Sequence, residues 1–238
     1  MLNLEKITTA MFVFAHPDDE VLSCAGLIAM LSSFGCEVKV VFLADGVSSR
    51  GQKNNAVHRK NSAYKALEVL GVKPHLIKFY KFDDNKLDTH AHLDLVCAIE
   101  DEMNSFLPKL VVTHSIGDLN IDHKLVANAV ATAARPLPGC VTDIILEAEV
   151  LSSSEWRPVT SNISFFPNFF VDISSFIELK VRALEFYSEE MRPFPHPRSE
   201  KAVRALATLR GSTIGVTAAE AFALQRLIVR KSLKYFCN

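Results

Sequence analysis

The chain lacks the features that would make several common functions readable. Its five cysteines (Cys24, Cys36, Cys97, Cys140 and Cys237) stand singly with no CxxC pair, which excludes a thiolate zinc site. An odd, scattered set in apolar surroundings reads as reduced core thiols of a cytoplasmic protein. No run of apolar residues reaches the roughly 20 needed for a membrane span, and no basic stretch leads into an apolar segment at the start, so neither a signal peptide nor a membrane anchor is expected. Lys and Arg number 26 against 27 Asp and Glu, a net charge of -1 that gives no electrostatic basis for nucleic-acid or anionic-membrane partners. Glycine is missing from the first strand-to-helix turn, Ala15-His16-Pro17-Asp18-Asp19-Glu20. Without it a pyrophosphate has no close backbone approach, and the three acids would repel one, which argues against a dinucleotide-dependent oxidoreductase. Repeats and low-complexity tracts are also absent.

What is present is a chain of 238 residues, 49% of them apolar, enough for one large domain with a sizeable core. Strand-like runs at 11–15, Val38–Leu43, His75–Tyr80, Leu110–Thr113 and Asp143–Leu151 alternate with helical spacing over 20–34, Ala56–Leu70, Leu93–Phe106 and Leu125–Ala134. Gly71 is placed to end the second of these helices. This alternation predicts an α/β fold with a Rossmann-like, doubly wound, mostly parallel sheet. After about residue 150 the pattern changes. Ile163–Ile173 is aromatic and strand-like, and helices are expected near 176–191, 199–209 and 218–234. Residues 1–150 therefore read as the sheet core and 151–238 as a C-terminal α+β cap within a single domain. Phe165, Phe166, Phe169 and Phe170 read as core, Trp156 as a residue of a polar loop, and Glu220 as the acid of a capping box that starts at Thr217.

Two segments carry chemistry. In the first, a strand ends in His16-Pro17-Asp18-Asp19-Glu20; in the second, another ends near His114 and runs into Asp118-Leu119-Asn120-Ile121-Asp122-His123. Ligands of doubly wound sheets bind beyond the carboxyl ends of the strands, where His16, Asp45 and His114 through His123 all fall. Three acids ahead of a helix are often simple caps, favoured by the helix dipole. Here the histidine and the second His/Asp cluster point instead to a metal. Catalytic zinc takes three ligands from His and carboxylates and keeps a position open. His16, Asp19 and one residue among His114, Asp122 and His123 would complete such a set, with Asp18 off the metal as general base.

The His16–Glu20 motif with its downstream Asp-His pair resembles the zinc-dependent N-deacetylases that include N-acetylglucosaminyl-phosphatidylinositol de-N-acetylase, the PIG-L or LmbE-like family. Further points of resemblance are Arg59 ahead of Leu70-Gly71-Val72, the segment Pro193-Phe194-Pro195-His196-Pro197-Arg198-Ser199, Arg210-Gly211, and Ala219-Glu220-Ala221-Phe222. The resemblance implies one Zn2+ per chain on His16, Asp19 and His123, with other divalent ions admissible. It also implies Asp18 as general base and Asp122 as a residue behind the ligands. Arg59, Arg50 and Asp45 are expected at the substrate. Family members carry a histidine where this chain has Asn120, which can donate to an oxyanion but cannot protonate a leaving amine. The proton donor is then Asp18 itself or His196, and a homo-oligomer would allow His196 to come from a neighbouring copy. The expected partner is a small acetylated amino sugar, free or nucleotide-linked. A non-catalytic sugar- or nucleotide-binding protein on the same fold is the alternative.

Overall fold

The computed structural model describes residues 3–50, 55–158 and 164–230, with the side chain of Arg50 outside that description. Seven strands form one sheet: β1 (Thr9–Phe14), β2 (Glu37–Ala44), β3 (Ile77–Phe82), β4 (Leu110–His114), β5 (Ile144–Ala148), β6 (Phe169–Asp172) and β7 (Ala219–Leu227), in the order β3-β2-β1-β4-β5-β7-β6. The pairings from β3 through β5 are all parallel, while β7 runs antiparallel to both β5 and β6. The expected doubly wound, mostly parallel sheet is therefore what the chain forms. Its C-terminal region adds strands to the sheet as well as helices.

Ala10 through Phe14 in β1 are fully buried. A strand covered on both faces must be apolar at every position rather than at alternate ones, and Ala-Met-Phe-Val-Phe satisfies this. The phenylalanines at 12 and 14, with Phe42, face one layer of helices: α1 (Asp19–Ser33), α2 (Ala56–Val69), α5 (Ile177–Glu185) and α6 (Glu200–Ile214). Met11, Val13, Val41 and Val111 face the other, made by α3 (His92–Phe106) and α4 (Ile121–Ala133). Each such side chain contributes about 1.5–3 kcal/mol by leaving water.

The expected helix near 218–234 is a correction over its described part, 218–230; residues 231–234 lie outside the described residues. Residues 219–227 form β7, although Ala, Glu, Leu, Gln and Arg favour helices, because the open edge of β5 and the backbone of β6 supply pairing on both sides. Glu220 consequently caps nothing at its own N-terminus. It reaches across to α1, where the backbone breaks at Cys24 (φ -140°, ψ 27°), and its two oxygens accept the N–H groups of Gly26 (2.9 Å) and Leu27 (2.8 Å). The second half of α1 is thus capped from another strand. Gly26 is required there, since a Cβ would sit 2.4 Å from Ile173 Cγ2.

Smaller differences follow the same logic of context over propensity. α4 begins at Ile121, four residues before the expected start, which places His123 in its first turn. Phe166 is 74% exposed rather than core, and Cys97 is exposed whereas Cys24 and Cys36 are buried thiols. Gly71 does follow the C-cap of α2, at φ +86°. Among the described residues no helix is long and apolar enough to cross a membrane.

Candidate metal centre

The strand order places a topological switch between β1 and β4, and both chemical segments leave the sheet there. His16, Asp19 and His123, all buried, bring one ligand atom each within 4.8 Å of one another. Asp19 Oδ2 lies 3.4 Å from His16 Nδ1 and 3.4 Å from His123 Nε2, and it also accepts the His16 backbone N–H at 2.9 Å. The other oxygen, Asp19 Oδ1, is buried and has no hydrogen-bond partner. A buried carboxylate oxygen left bare is costly unless a cation occupies its lone pairs, so the donor set fits a divalent metal.

Each histidine is held from behind. His16 Nε2 stands 3.0 Å from Asp122 Oδ2 and 3.2 Å from Asp84 Oδ1. Asp122 also accepts the backbone N–H groups of Asn85 (2.7 Å) and Leu87 (3.1 Å). His123 Nδ1 lies 3.2 Å from Asp118 Oδ1, and Asp118 receives hydroxyl bonds from Ser153 and Ser154. At His16 this is the carboxylate-histidine arrangement that fixes the tautomer of metal-binding imidazoles; at His123 the Asp118 carboxylate is an ion-pair partner, and Nδ1 makes no hydrogen bond of good geometry. His16, Asp84 and Asp122 form a second cluster that could hold a cation. Its carboxylates are already engaged, Asp122 by two backbone N–H groups and Asp84 by Ser49 (Oγ, 2.5 Å), so the first cluster is the better fit. His114, the other histidine candidate, accepts the Ala15 N–H on Nε2 (2.9 Å) and stacks on His123 at 3.8 Å, which leaves it a support rather than a ligand.

Charge follows this geometry. Burial alone would lower the His16 and His123 pKa values, but the surrounding carboxylates reverse it. His16 is raised well above its ordinary value by Asp122, Asp19 and Asp84, and His123 is raised to about 9 by Asp19 and Asp118. Burial would raise Asp19, yet His123, His16 and His114 hold it well below the carboxylate range. Burial would likewise raise Asp118, and His123 with the two serines holds it at about 2.

Asp18 occupies the same pocket, lined also by His16, Gly46, Arg59, Asp84, Asn120, His123 and Arg198. Its backbone has φ +119°, a conformation unusual for a residue with a Cβ, and its N–H donates to Glu20 Oε2 at 2.9 Å. Arg59 and Arg198 each place a guanidinium nitrogen 2.8 Å from Asp18 Oδ2. Burial pushes the Asp18 pKa up, the two arginines pull it down, and the net direction is upward. Glu20 behind it is raised to about 8 by burial, against a 2.6 Å hydrogen bond from the Tyr187 hydroxyl. Gly46, at φ +73°, leaves room for His16; a Cβ there would stand 3.0 Å from that of His16.

The remaining expected residues divide. Asn120 lines the pocket and is the N-cap of α4, its Oδ1 accepting the Asp122 N–H at 2.8 Å, so only its Nδ2 remains as a donor. Asp45 lies outside the pocket lining; its Oδ1 accepts the N–H groups of Val47 and Ser48 in the loop after β2. His196 is likewise outside, with Nδ1 accepting the Arg198 N–H (3.0 Å) and its ring edge-on to Trp156. Three residues without an assigned role from sequence join the site: Asp84, Glu190 and Arg198. Asp84 stands two residues past the end of β3, so its place near a strand end is the signal that could have found it. Glu190 and Arg198 come from the segment between α5 and α6; Arg198 falls in the Pro193–Ser199 segment that the resemblance marked without a role, and nothing in the sequence signals Glu190.

Comparison with known proteins decides the family. The family described as PIG-L, GlcNAc-PI de-N-acetylase, matches residues 11–134, just over half of the chain. The chain belongs to this family. The match contains His16, Asp18, Asp19, Arg59, Asn120 and His123 and ends with α4. Solved structures of the same fold include the N,N'-diacetylchitobiose deacetylase of Pyrococcus horikoshii (TM-score 0.76, 20% identity, 94% of this chain and 85% of that one). A 4-carboxy-2-hydroxymuconate hydratase of Pseudomonas putida (0.73, 21%, 95% and 100%) and a teicoplanin deacetylase (0.70, 18%, 92% and 99%) are similar to comparable degrees. At these identities the PIG-L fold is what the likeness shows.

Proposed function

We propose that the chain is a divalent-metal-dependent hydrolase that removes the acetyl group from an N-acetylated amino sugar, with zinc on His16, Asp19 and His123. The observation that carries this reading is the convergence of those three residues around the partnerless Asp19 Oδ1, with the Asp18 carboxylate in the same pocket. A bound zinc ion would supply Lewis acidity, polarising the acetyl carbonyl and easing proton loss from water near neutral pH.

The protein's own groups do the rest. Asp18 takes a proton from the attacking water; its upward pKa suits this role. Asn120 Nδ2 supplies a donor for charge that develops on the carbonyl oxygen, while the arginine pair holds the Asp18 carboxylate. As the carbon–nitrogen bond breaks, the amine needs a proton. Asn120 cannot give one, arginine does not release one near neutral pH, and His196 is turned toward Arg198 and Trp156. Protonated Asp18 returns the proton it took, so that water and amide become acetate and amine.

A second reading has support from the same position. With Asn120 where an acid would stand, Asp18 would be the one proton carrier, and addition of water to an activated carbon–carbon double bond can use it alike: hydroxyl goes to one carbon, and protonated Asp18 returns the proton to the other; one similar structure is a hydratase. Acetate release separates the two. The zinc-loaded protein, presented with a panel of N-acetylglucosamine conjugates, is expected to release one acetate per amine formed, and Asp18→Asn to keep its zinc and lose turnover. Amine-free water addition would sink the deacetylase reading.

A further inference from the structure

Arg198 enters the site from the segment that joins α5 to α6, more than 170 residues from the motif it meets. Its side chain is 17% exposed and makes three polar contacts: Nε with Ser152 Oγ (2.6 Å), and Nη1 with both Asp18 Oδ2 (2.8 Å) and Glu190 Oε2 (3.3 Å). Arg59 approaches from α2 on the opposite side, bonding the same Asp18 oxygen and the other oxygen of Glu190, both at 2.8 Å. Two cations and two carboxylates thus close a ring. Both guanidinium bonds to Asp18 end on Oδ2. Among the described residues no hydrogen bond ends on Oδ1.

We propose that Arg198 is a positioning residue for Asp18: it clamps Oδ2 so that Oδ1 is the oxygen presented to the reacting water. The inference rests on Asp18 being the general base. The argument is geometric. Asp18 sits at φ +119°, a conformation that persists only where its surroundings over-determine it, and the two guanidinium bonds to its carboxylate are part of those surroundings. Arg59 alone would let the carboxylate pivot about one contact, and a second donor on the same oxygen removes that freedom. Arg198 is itself held at two points of its planar fork, Nε by Ser152 and Nη1 by Glu190, the latter through the same nitrogen that bonds Asp18. A staple joining the C-terminal segment to the sheet would need only Ser152 and Glu190. The bond into the pocket is the additional feature. Lysine cannot copy it, because one ammonium on a flexible stem cannot hold Ser152 and Asp18 in the same fixed plane.

The test uses Arg198→Lys, which keeps the positive charge beside Asp18 and Glu190 and so protects the fold, together with Ser152→Ala. Zinc content, kcat and KM for acetate release from N-acetylglucosamine are measured, and crystal structures of zinc-loaded wild type and Arg198→Lys are solved. The expected result is one zinc in each protein, KM within about threefold and kcat lower by about 100-fold in Arg198→Lys, as misplacement by roughly 1 Å entails. The Asp18 carboxylate is expected to leave its wild-type position, and Ser152→Ala to lie between the two. An Asp18 carboxylate unmoved in Arg198→Lys, or a raised KM with unchanged kcat, overturns the proposal. If wild type releases no acetate, the deacetylase reading fails separately, and the position of Asp18 in the two crystal structures still decides the role of Arg198.

Discussion

Asp118 Oδ1 stands 3.2 Å from His123 Nδ1, so the imidazole that faces Asp19 with one nitrogen is held by a carboxylate through the other. Asp118 is fully buried and anchored by Ser153, Ser154 and the N–H of Asn120. Replacing it with Asn keeps the size but removes the negative charge that faces the ring. Asp118→Asn is expected to weaken zinc binding by about 10- to 100-fold, measured by competition with a chromogenic chelator, with an unfolding midpoint close to wild type when zinc is saturating.

Glu220 gives a prediction about stability. Its carboxylate caps the interior of α1 and lies 2.7 Å from Lys180 Nζ, with both side chains buried. Removing one partner of a buried pair strands the other charge. Glu220→Ala is expected to lose about 3–5 kcal/mol in urea unfolding, and Lys180→Met with Glu220→Gln together to lose less than Glu220→Ala alone.

The fold was legible up to β5 because a two-faced strand and an amphipathic helix have different periods, and each run here keeps to one of them. It failed at 218–234 because nothing local distinguishes β7 from a helix: its neighbours in the sheet, not its composition, decide the matter. The first motif was legible for a similar reason. His16, Asp18 and Asp19 sit within four positions of a strand end, so local sequence places them. Glu190 and Arg198 reach the pocket through the packing of α5 against α1 and α2, with α6 against α5 and β7; the resemblance marked the segment of Arg198, but no spacing records which group it meets. Asp45, a strand-end acid, turns one oxygen to its own loop and lines a neighbouring cavity with Pro17.

Proton linkage has a definite sign in the metal-free protein. His123 is raised to about 9 and His16 is raised as well, so the folded state holds protons that the unfolded state releases near pH 6.5. Their contribution to stability is fully present below that pH and is lost as pH climbs through about 9. Metal-free protein is therefore expected to lose stability between pH 6.5 and 9.5 in denaturant titrations. Zinc affinity changes in the opposite direction, because zinc must displace those protons. It is expected to rise about tenfold per pH unit for each proton displaced over the same range. A flat affinity profile would contradict the assignment of His123 as a ligand.

The central claim is that His16, Asp19 and His123 hold one divalent ion. Zinc stoichiometry by elemental analysis, after reconstitution and removal of loosely bound metal, tests it most directly in wild type, Asp19→Ala and His123→Ala. The account predicts about one zinc per chain in wild type and loss of tight binding in both variants, with Asp18→Asn retaining it. No zinc in the wild type, or full occupancy in Asp19→Ala, would contradict it.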